Sequence, residues 1–315
     1  MSAKVFIDGA AGTTGLEIRE RLEGRGDLSM VRLSDADRKS TSARAAALNE
    51  ADVVILCLPD DAAREAVNLI ENSYVRVIDA STAHRVASGW VFGFPEFEPG
   101  QYERIAAARR VTNPGCYSTG FLALVRPLVR AGLIPADWPF TASGMSGYSG
   151  GGRPMIAEFE DRGSPDYVET AVRNYALTLA HKHVPEMKVH AGLTHAPVFA
   201  PSVGRYYRGM IVDVPLALWA LPGKPKASKL HGALESAYRG RPFIEVASME
   251  ESAQQKTLDA ELLKNTNRMK LHVFASEDGD QARLVAVLDN LGKGAGGATV
   301  QNLNIMLGLP ETTGL

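Results

Sequence analysis

Apolar and polar positions alternate in blocks along the first third of the chain. Residues 4–8 (KVFID) read as a short buried strand, followed by a glycine-rich turn and a helix over about 15–24. Residues 30–34 are expected as a second strand. Residues 51–58 (ADVVILCL) form a continuous apolar strand stopped by Pro59. Residues 60–72 suit a helix with Asp60 near its N-cap, and 75–80 (VRVIDA) another strand. Runs that are apolar at every position belong to strands covered on both faces. Their alternation with helices predicts a doubly wound parallel sheet.

After Asn113-Pro114-Gly115 the pattern changes. Cys116 opens a predicted helix with Phe121, Leu124, Val125 and Leu128 at helical spacing. A glycine-dense loop is expected over 143–152. Period-two segments at 210–214 and 284–288 predict an antiparallel or mixed sheet, and 300–307 again has helical spacing. The fold class is therefore α/β: a Rossmann-like nucleotide-binding domain plus an α+β domain with a mixed sheet. The expected boundaries are 1–115 with 292–315 for the first and 116–291 for the second, which is inserted ahead of the last helix.

Composition narrows the partners. The 315 residues are 45% hydrophobic and 22% charged, the balance of a globular protein, and the formal charge of −2 recruits neither nucleic acid nor an anionic membrane. No apolar run reaches the length of about 18 residues expected of a membrane span, and the first residues lack the pattern of a signal peptide. Only two cysteines occur, Cys57 and Cys116, which argues against a disulfide scaffold and for a reducing cytoplasm.

Gly9, Gly12 and Gly15 lie between a predicted strand and a predicted helix, the context in which a glycine triplet binds a dinucleotide. Glycine lets the backbone approach a pyrophosphate, and the helix N-terminus supplies N–H donors. Thr13 and Thr14 add hydroxyls. NAD sites often place an acidic residue after the second strand, on the ribose diol. Here Ser34, Arg38 and Lys39 suit a 2′-phosphate, hence NADP, while Asp35 points toward NAD.

The segment Asn113-Pro-Gly-Cys-Tyr-Ser-Thr119 carries the most chemistry. A helix N-terminus stabilises a thiolate, the reactive form of cysteine, and Gly115 permits an unusual backbone angle before it. On the segment alone, a buried inert cysteine is the competing explanation, and it is the one that fits Cys57 in mid-strand. A nucleophilic cysteine needs an acid-base partner. His181 and His183 lie in AHKHVPEM with Glu186 close by, as a candidate to orient a ring. Two apart on a helix, the histidines face different ways; on an extended segment they share a side. A metal is not expected, because no third ligand stands at a recognisable spacing.

Taken together, GAAGTTG, NPGCY, SGMSGYSGGGR, HKHVPEM, RYYRG and DNLGKGAGGATVQNLNIMLG resemble the N-acetyl-gamma-glutamyl-phosphate reductases, specifically the short form of that arginine-biosynthesis enzyme. The matches run in order over nearly the whole chain, with NPGCY and GKGAGGATVQNLN the most specific. The broader superfamily includes aspartate-semialdehyde dehydrogenase and glyceraldehyde-3-phosphate dehydrogenase, which implies a glyceraldehyde-3-phosphate dehydrogenase-like fold. Longer members carry a Pro-His pair ahead of their Arg-Gly. Here the stretch is Ala196-Pro197-Val198-Phe199, which offers no base and directs attention to His181 or His183.

The resemblance implies that Cys116 attacks the acyl phosphate of N-acetyl-glutamyl 5-phosphate, that phosphate leaves a thioester, and that NADPH reduces it to the semialdehyde with a histidine as proton donor. It implies further that Asn290, with Gly292 behind it, holds the nicotinamide carboxamide, and that Asn113 helps bind substrate. Ser143, Gly144 and Ser146 are expected to present N–H groups to phosphate, with Arg153 as a closing cation. Arg205 and Arg208 are candidates for the substrate carboxylate, surface salt bridges being the alternative. A homo-oligomer, dimer or tetramer, is expected. A related acyl-phosphate reductase, such as aspartate-semialdehyde dehydrogenase, and a non-catalytic NADP-binding sensor remain alternatives; a sensor has no need of a nucleophile.

Overall fold

The structure, a computed structural model, describes residues 2–34 and 36–315. The chain divides into two compact units. One comprises Met1–Pro95, Gly100–Pro114 and Ala295–Leu315; the other comprises Glu96–Pro99 and Gly115–Gly294.

The first unit runs β1 (Ala3–Asp8), α1 (Thr13–Leu22), β2 (Leu28–Val31), α2 (Thr41–Glu50), β3 (Val53–Leu56), α3 (Asp60–Asn68), β4 (Arg76–Asp79), β5 (Val91–Phe92), α4 (Gln101–Ala107) and β6 (Arg110–Thr112), and takes in the C-terminal helix Gly297–Met306. Its strands are all parallel, in the order β2-β1-β3-β4-β6-β5. Alternate side chains of a strand point to opposite faces. Val5, Ile7, Val53, Ile55 and Ile78 pack with Ile18 and Leu22 of α1 and with Val300 and Leu303 of the C-terminal helix. Phe6, Val54, Leu56 and Val77 point the other way, onto Leu48 of α2 and Ala63 and Ala66 of α3. Two covered faces are the physical reason for the unbroken apolar runs.

Several boundaries differ from the sequence reading. Helix α1 begins at Thr13 rather than Gly15, and β2 ends at Val31, so Ser34 lies beyond the strand. Strand β3 ends at Leu56, which puts Cys57 just past it. Helix α3 stops at Asn68 because Asn49 of α2 takes over the next backbone groups: its Nδ2 donates to Leu69 O, and its Oδ1 accepts from the N–H groups of Glu71 and Asn72, each at 2.8 Å. Asp60 stands next to the N-cap, as expected, with Pro59 at the cap itself, and the Asp60 carboxylate accepts from Thr82 N at 2.9 Å.

The second unit contains α5 (Cys116–Arg130), β7 (Thr141–Gly147), α6 (Gly152–Glu160), β8 (Val172–Asn174), α7 (Val184–Ala191), β9 (Val198–Gly204), β10 (Met210–Ala217), α8 (Ala227–Tyr238), β11 (Ile244–Val246), α9 (Met249–Gln254), β12 (Met269–Ala275) and β13 (Gln281–Leu288). The sheet is mixed, in the order β11-β12-β13-β10-β7-β9-β8, with the antiparallel pair β10/β13 at its centre. Met210, Val212, Val214, Leu284, Ala286 and Leu288 are buried, and α5 packs on β10 and β13. Tyr238 of α8 donates to Ala123 O of α5 at 2.8 Å, tying the two helices together. A π-helical turn, Gly292–Gly296, follows β13.

The expected loop over 143–152 is a correction. Its first half is β7, a central strand that pairs with β10 on one side and β9 on the other, so the backbone of Ser143, Gly144 and Ser146 is engaged in two ladders rather than open to a phosphate. Alternating burial, with Ala142, Gly144 and Ser146 inward, marks a strand that its glycines and serines concealed.

Candidate active site

The first unit presents a nucleotide-sized cleft that begins at the carboxyl ends of β1 and β3, where the strand order reverses, and extends along α1 and β2 past Arg19, Gly24 and Met30. The cleft has a volume of about 910 Å³ and is lined by Asp8, Gly9, Ala10, Arg38, Arg44 and Leu58 among others. Gly9 takes φ +89°, and a Cβ there would lie 2.3 Å from Cys57 O, so only glycine permits the turn. Gly12 is the N-cap of α1, and Thr13, Thr14 and Gly15 form its first turn. Thr13 Oγ1 is buried with no hydrogen-bond partner. An orphaned hydroxyl at a helix N-terminus, beside a glycine turn, fits the pyrophosphate of a dinucleotide.

The residues expected to read the ribose divide. Arg38 lines the cleft; Ser34 and Lys39 do not. Ser34 Oγ instead donates to Asp37 Oδ2 at 2.6 Å, closing the short turn that presents Arg38. Asp35 lies outside the described residues. Arg44, not foreseen, also lines the cleft and pairs with the buried Asp8 at 2.9 Å.

In the second unit Cys116 is the first residue of α5, a helix of 15 residues, so the positive end of its dipole faces the thiol. Gly115 has φ −76° and ψ 149°, an ordinary extended conformation, so the freedom that glycine permits is not used here. What holds Gly115 is Glu186: the buried carboxylate accepts the Gly115 N–H at 2.8 Å. Cys57 is no rival nucleophile. Burial by the surrounding protein, with Asp79 and Asp8 nearby, pushes its thiol up to about 12.

His181 and His183 are neither on a helix nor in a strand. They form the turn that enters α7, with His183 at its N-cap, and both rings are buried in one aromatic cluster. The ring centroids are 4.7 Å apart, and Tyr117 lies 5.7 Å from the first and 5.9 Å from the second. The turn brings both rings to one side because His181 Nδ1 accepts the His183 backbone N–H at 3.1 Å. In the neutral ring that hydrogen bond places the proton on Nε2, which faces the Tyr175 hydroxyl at 3.4 Å. Tyr117 donates to Ser202 O at 2.8 Å, with Ser146 Oγ 3.0 Å away, and a Cβ at Gly144 would strike its ring at 2.5 Å. Ser146 and Gly144 thus seat Tyr117. Burial and the neighbouring Cys116 charge both raise the Tyr175 hydroxyl, to about 12.

Several residues expected to contact ligands also make framework hydrogen bonds. Asn113 is buried; its Nδ2 donates to Ala295 O at 3.0 Å and its Oδ1 accepts from Asn302 at 3.1 Å. Asn290 is buried too; its Oδ1 accepts the Gly209 N–H at 2.8 Å and its Nδ2 donates to Ser149 at 2.9 Å. Arg205 donates to the carbonyls of Thr170, Phe159 and Val168 and lies over the Phe159 ring, pinning the 161–172 segment. Arg208 Nε is 2.7 Å from Asp289, whose other oxygen accepts from Leu291 N and Gly292 N at 2.8 and 3.2 Å. Gly292 is wedged against Thr266 O. Arg153 stays exposed in the first turn of α6.

The support that the π-helical turn gives Cys116 was not foreseen. A Cβ at Gly294 would lie 2.7 Å from Cys116 Cβ, so this glycine is the floor beneath the cysteine. Its signal was present in the GKGAGG run, but nothing in the spacing says which glycine meets which side chain.

Comparison with known proteins agrees with this geometry. The family described as semialdehyde dehydrogenase, NAD binding domain, matches residues 4–105, and semialdehyde dehydrogenase, dimerisation domain, matches 116–290. A nicotinamide cofactor therefore belongs to the first unit. In solved structures, aspartate semialdehyde dehydrogenase II from Vibrio cholerae has a TM-score of 0.74 at 14% identity over 98% of both chains. Aspartate semialdehyde dehydrogenase from Candida albicans has a TM-score of 0.64 at 13% identity over 98% and 99%. At such identity the likeness establishes the fold alone. Among curated relatives, the N-acetyl-gamma-glutamyl-phosphate reductases of Brucella ovis and Brucella melitensis are each 54% identical over 309 residues, covering 98% of this chain and all of theirs. With that identity sustained from end to end, and with Cys116 at a helix N-terminus, the chain belongs to the N-acetyl-gamma-glutamyl-phosphate reductase family.

Proposed function

We propose that this chain reduces N-acetyl-L-glutamyl 5-phosphate to N-acetyl-L-glutamate 5-semialdehyde, releasing phosphate, with NADPH as the reductant. The observation that carries the reading is Cys116 at the head of α5 with His181 and His183 gathered over the adjacent Tyr117. The Cys116 thiolate attacks the acyl carbon, a C–S bond forms, and phosphate departs with the electron pair of the broken C–O bond. The resulting thioester divides one difficult displacement into two easier steps. Bound NADPH supplies the hydride that reduces the thioester carbon.

The chain's own residues do the remaining work. Glu186 holds the Gly115 N–H and so sets where Cys116 enters α5. His181 has its Nδ1 engaged by His183 N and its Nε2 facing Tyr175, which suits it to orienting rather than transferring. We assign His183 as the acid that delivers a proton to the developing oxyanion and, as the base, takes it back from the thiohemiacetal hydroxyl as the C–S bond breaks, which frees the aldehyde and restores the thiolate. The Gly9 turn and Thr13 would hold the cofactor pyrophosphate, and Arg38 with Arg44 its 2′-phosphate. The family description of residues 116–290 as a dimerisation domain supports a homo-oligomer, and a biosynthetic role with only two cysteines supports the cytoplasm.

The test is phosphate-dependent reduction of NADP with N-acetyl-glutamate semialdehyde, run beside aspartate semialdehyde. Turnover with the first substrate and little with the second is expected. The reverse preference would move the assignment to an aspartate-semialdehyde dehydrogenase. No turnover with either would leave a binding protein.

A further inference from the structure

Four consecutive residues, Glu96–Pro99, lie between β5 and α4 in sequence yet belong with Gly115–Gly294 in the second unit. Three of them reach three different elements. Glu96 and Lys293 form an ion pair with Nζ 2.8 and 2.9 Å from the two carboxylate oxygens, and both side chains are at most 1% exposed. Lys293 also lies 5.6 Å from the centre of the Phe243 ring. Phe97 meets His190 of α7 edge to face at 5.9 Å, and Arg126 of α5 lies over the same ring at 5.5 Å. Glu98 pairs with Arg126 at 2.9 Å, both partners about a quarter exposed.

Those three elements carry the catalytic parts. Helix α5 begins with Cys116, α7 has His183 at its N-cap, and Lys293 precedes Gly294, the residue packed beneath Cys116. Stability is a poor account of the buried pair, because desolvating two charges offsets most of their attraction and apolar replacements are often as stable. A buried pair does impose register, since each charge tolerates only its partner.

We propose that Glu96, Phe97 and Glu98 are positioning residues for the nucleophile. They clamp α5, α7 and the Lys293 turn at one spacing and so fix Cys116 relative to its histidines. The inference rests on the reading of Cys116 as nucleophile but not on the identity of the substrate. Removing the clamp leaves each catalytic group intact and lets the floor under Cys116 shift.

The experiment uses the full chain in a Cys57→Ala background and follows alkylation of Cys116 by iodoacetamide across pH, together with kcat, KM and thermal melting. The double variant Glu96→Leu/Lys293→Met removes both charges and should melt within a few degrees of the parent, as apolar replacements of buried pairs commonly do. Its alkylation profile should shift along the pH axis, and kcat should fall at least about tenfold with KM within about threefold, the pattern of lost positioning rather than lost binding. Glu98→Ala breaks only the partly exposed contact, so it folds, and a smaller shift of the same kind is expected. A folded double variant with the parent's alkylation profile and kcat overturns the proposal. If the double variant fails to fold, Glu98→Ala decides: a parent-like profile overturns the proposal, a shifted one supports it. Alkylation needs neither substrate nor cofactor, so a chain inactive on the acyl phosphate yet showing these shifts would refute the reductase assignment alone.

Discussion

Gly294→Ala is the sharpest test of how the nucleophile is held. The added Cβ would lie 2.7 Å from Cys116 Cβ and 3.0 Å from Asp289 O. Two carbons rest at about 3.5–4.0 Å, so one side must retreat by roughly 1 Å. The turn has little room to give, because on its other side Gly292 is wedged against Thr266 O and anchored by Asp289. Cys116 is therefore the group that moves. A misplacement of about 1 Å at a reacting centre can cost on the order of 100-fold, so kcat should fall by about that factor with KM little changed. Overpacking typically costs about 1–3 kcal/mol. In a chain of this size that is a drop of about 2–12 °C in Tm, at roughly 2–4 °C per kcal/mol. The assay is steady-state NADP reduction with N-acetyl-glutamate semialdehyde and phosphate, paired with a circular-dichroism melt. Gly232→Ala is the control, since a Cβ there meets nothing within 4 Å. A Gly294→Ala enzyme with kcat within threefold of the parent, and Cys116 alkylating at the parent rate, would refute the reasoning.

Cys116→Ser should abolish turnover while NADP binding, followed by fluorescence, persists; near-parent turnover would end the thioester mechanism. With its thiol pushed up to about 12, Cys57 is roughly one part in ten thousand thiolate at pH 8, so mass spectrometry after brief alkylation should find the label on Cys116 alone. Cys57→Ala should retain above roughly a tenth of parent activity, because it removes one small side chain outside the second unit. His183→Ala should lower kcat by about 10²–10⁴-fold, and at least tenfold more than His181→Ala, as acid-base catalysis by the first requires; equal effects would remove that assignment. Arg38→Ala and Arg44→Ala should each erode the preference for NADP over NAD in kcat/KM, whereas Lys39→Ala, outside the cleft, should not; a preference untouched by the two arginine variants would place the 2′-phosphate elsewhere.

Much of this protein was determined by the chain itself. Strands buried on both faces, as at Val53–Leu56, leave unbroken apolar runs, and a strand, a glycine turn and a helix in succession announce the nucleotide site. Cys116 at a helix start was equally legible, because proline and glycine before an amphipathic run mark a helix N-terminus by local chemistry. Local pattern stops at the partner. That Arg205 ends on three carbonyls, that Asn113 and Asn290 brace the backbone, and that Arg208 joins Asp289 depends on groups distant in sequence. The serines and glycines of β7 looked like a loop because composition reports flexibility, while the ladders with β9 and β10 that straighten them form only when the sheet does. The turn that gathers His181 and His183, the hold of Glu186 on Gly115, and Gly294 beneath Cys116 were likewise decided by tertiary structure. Short-range forces choose helix or strand from a few neighbouring residues, but a hydrogen bond between residues 71 apart, such as that from Gly115 to Glu186, exists only once packing has brought both ends together.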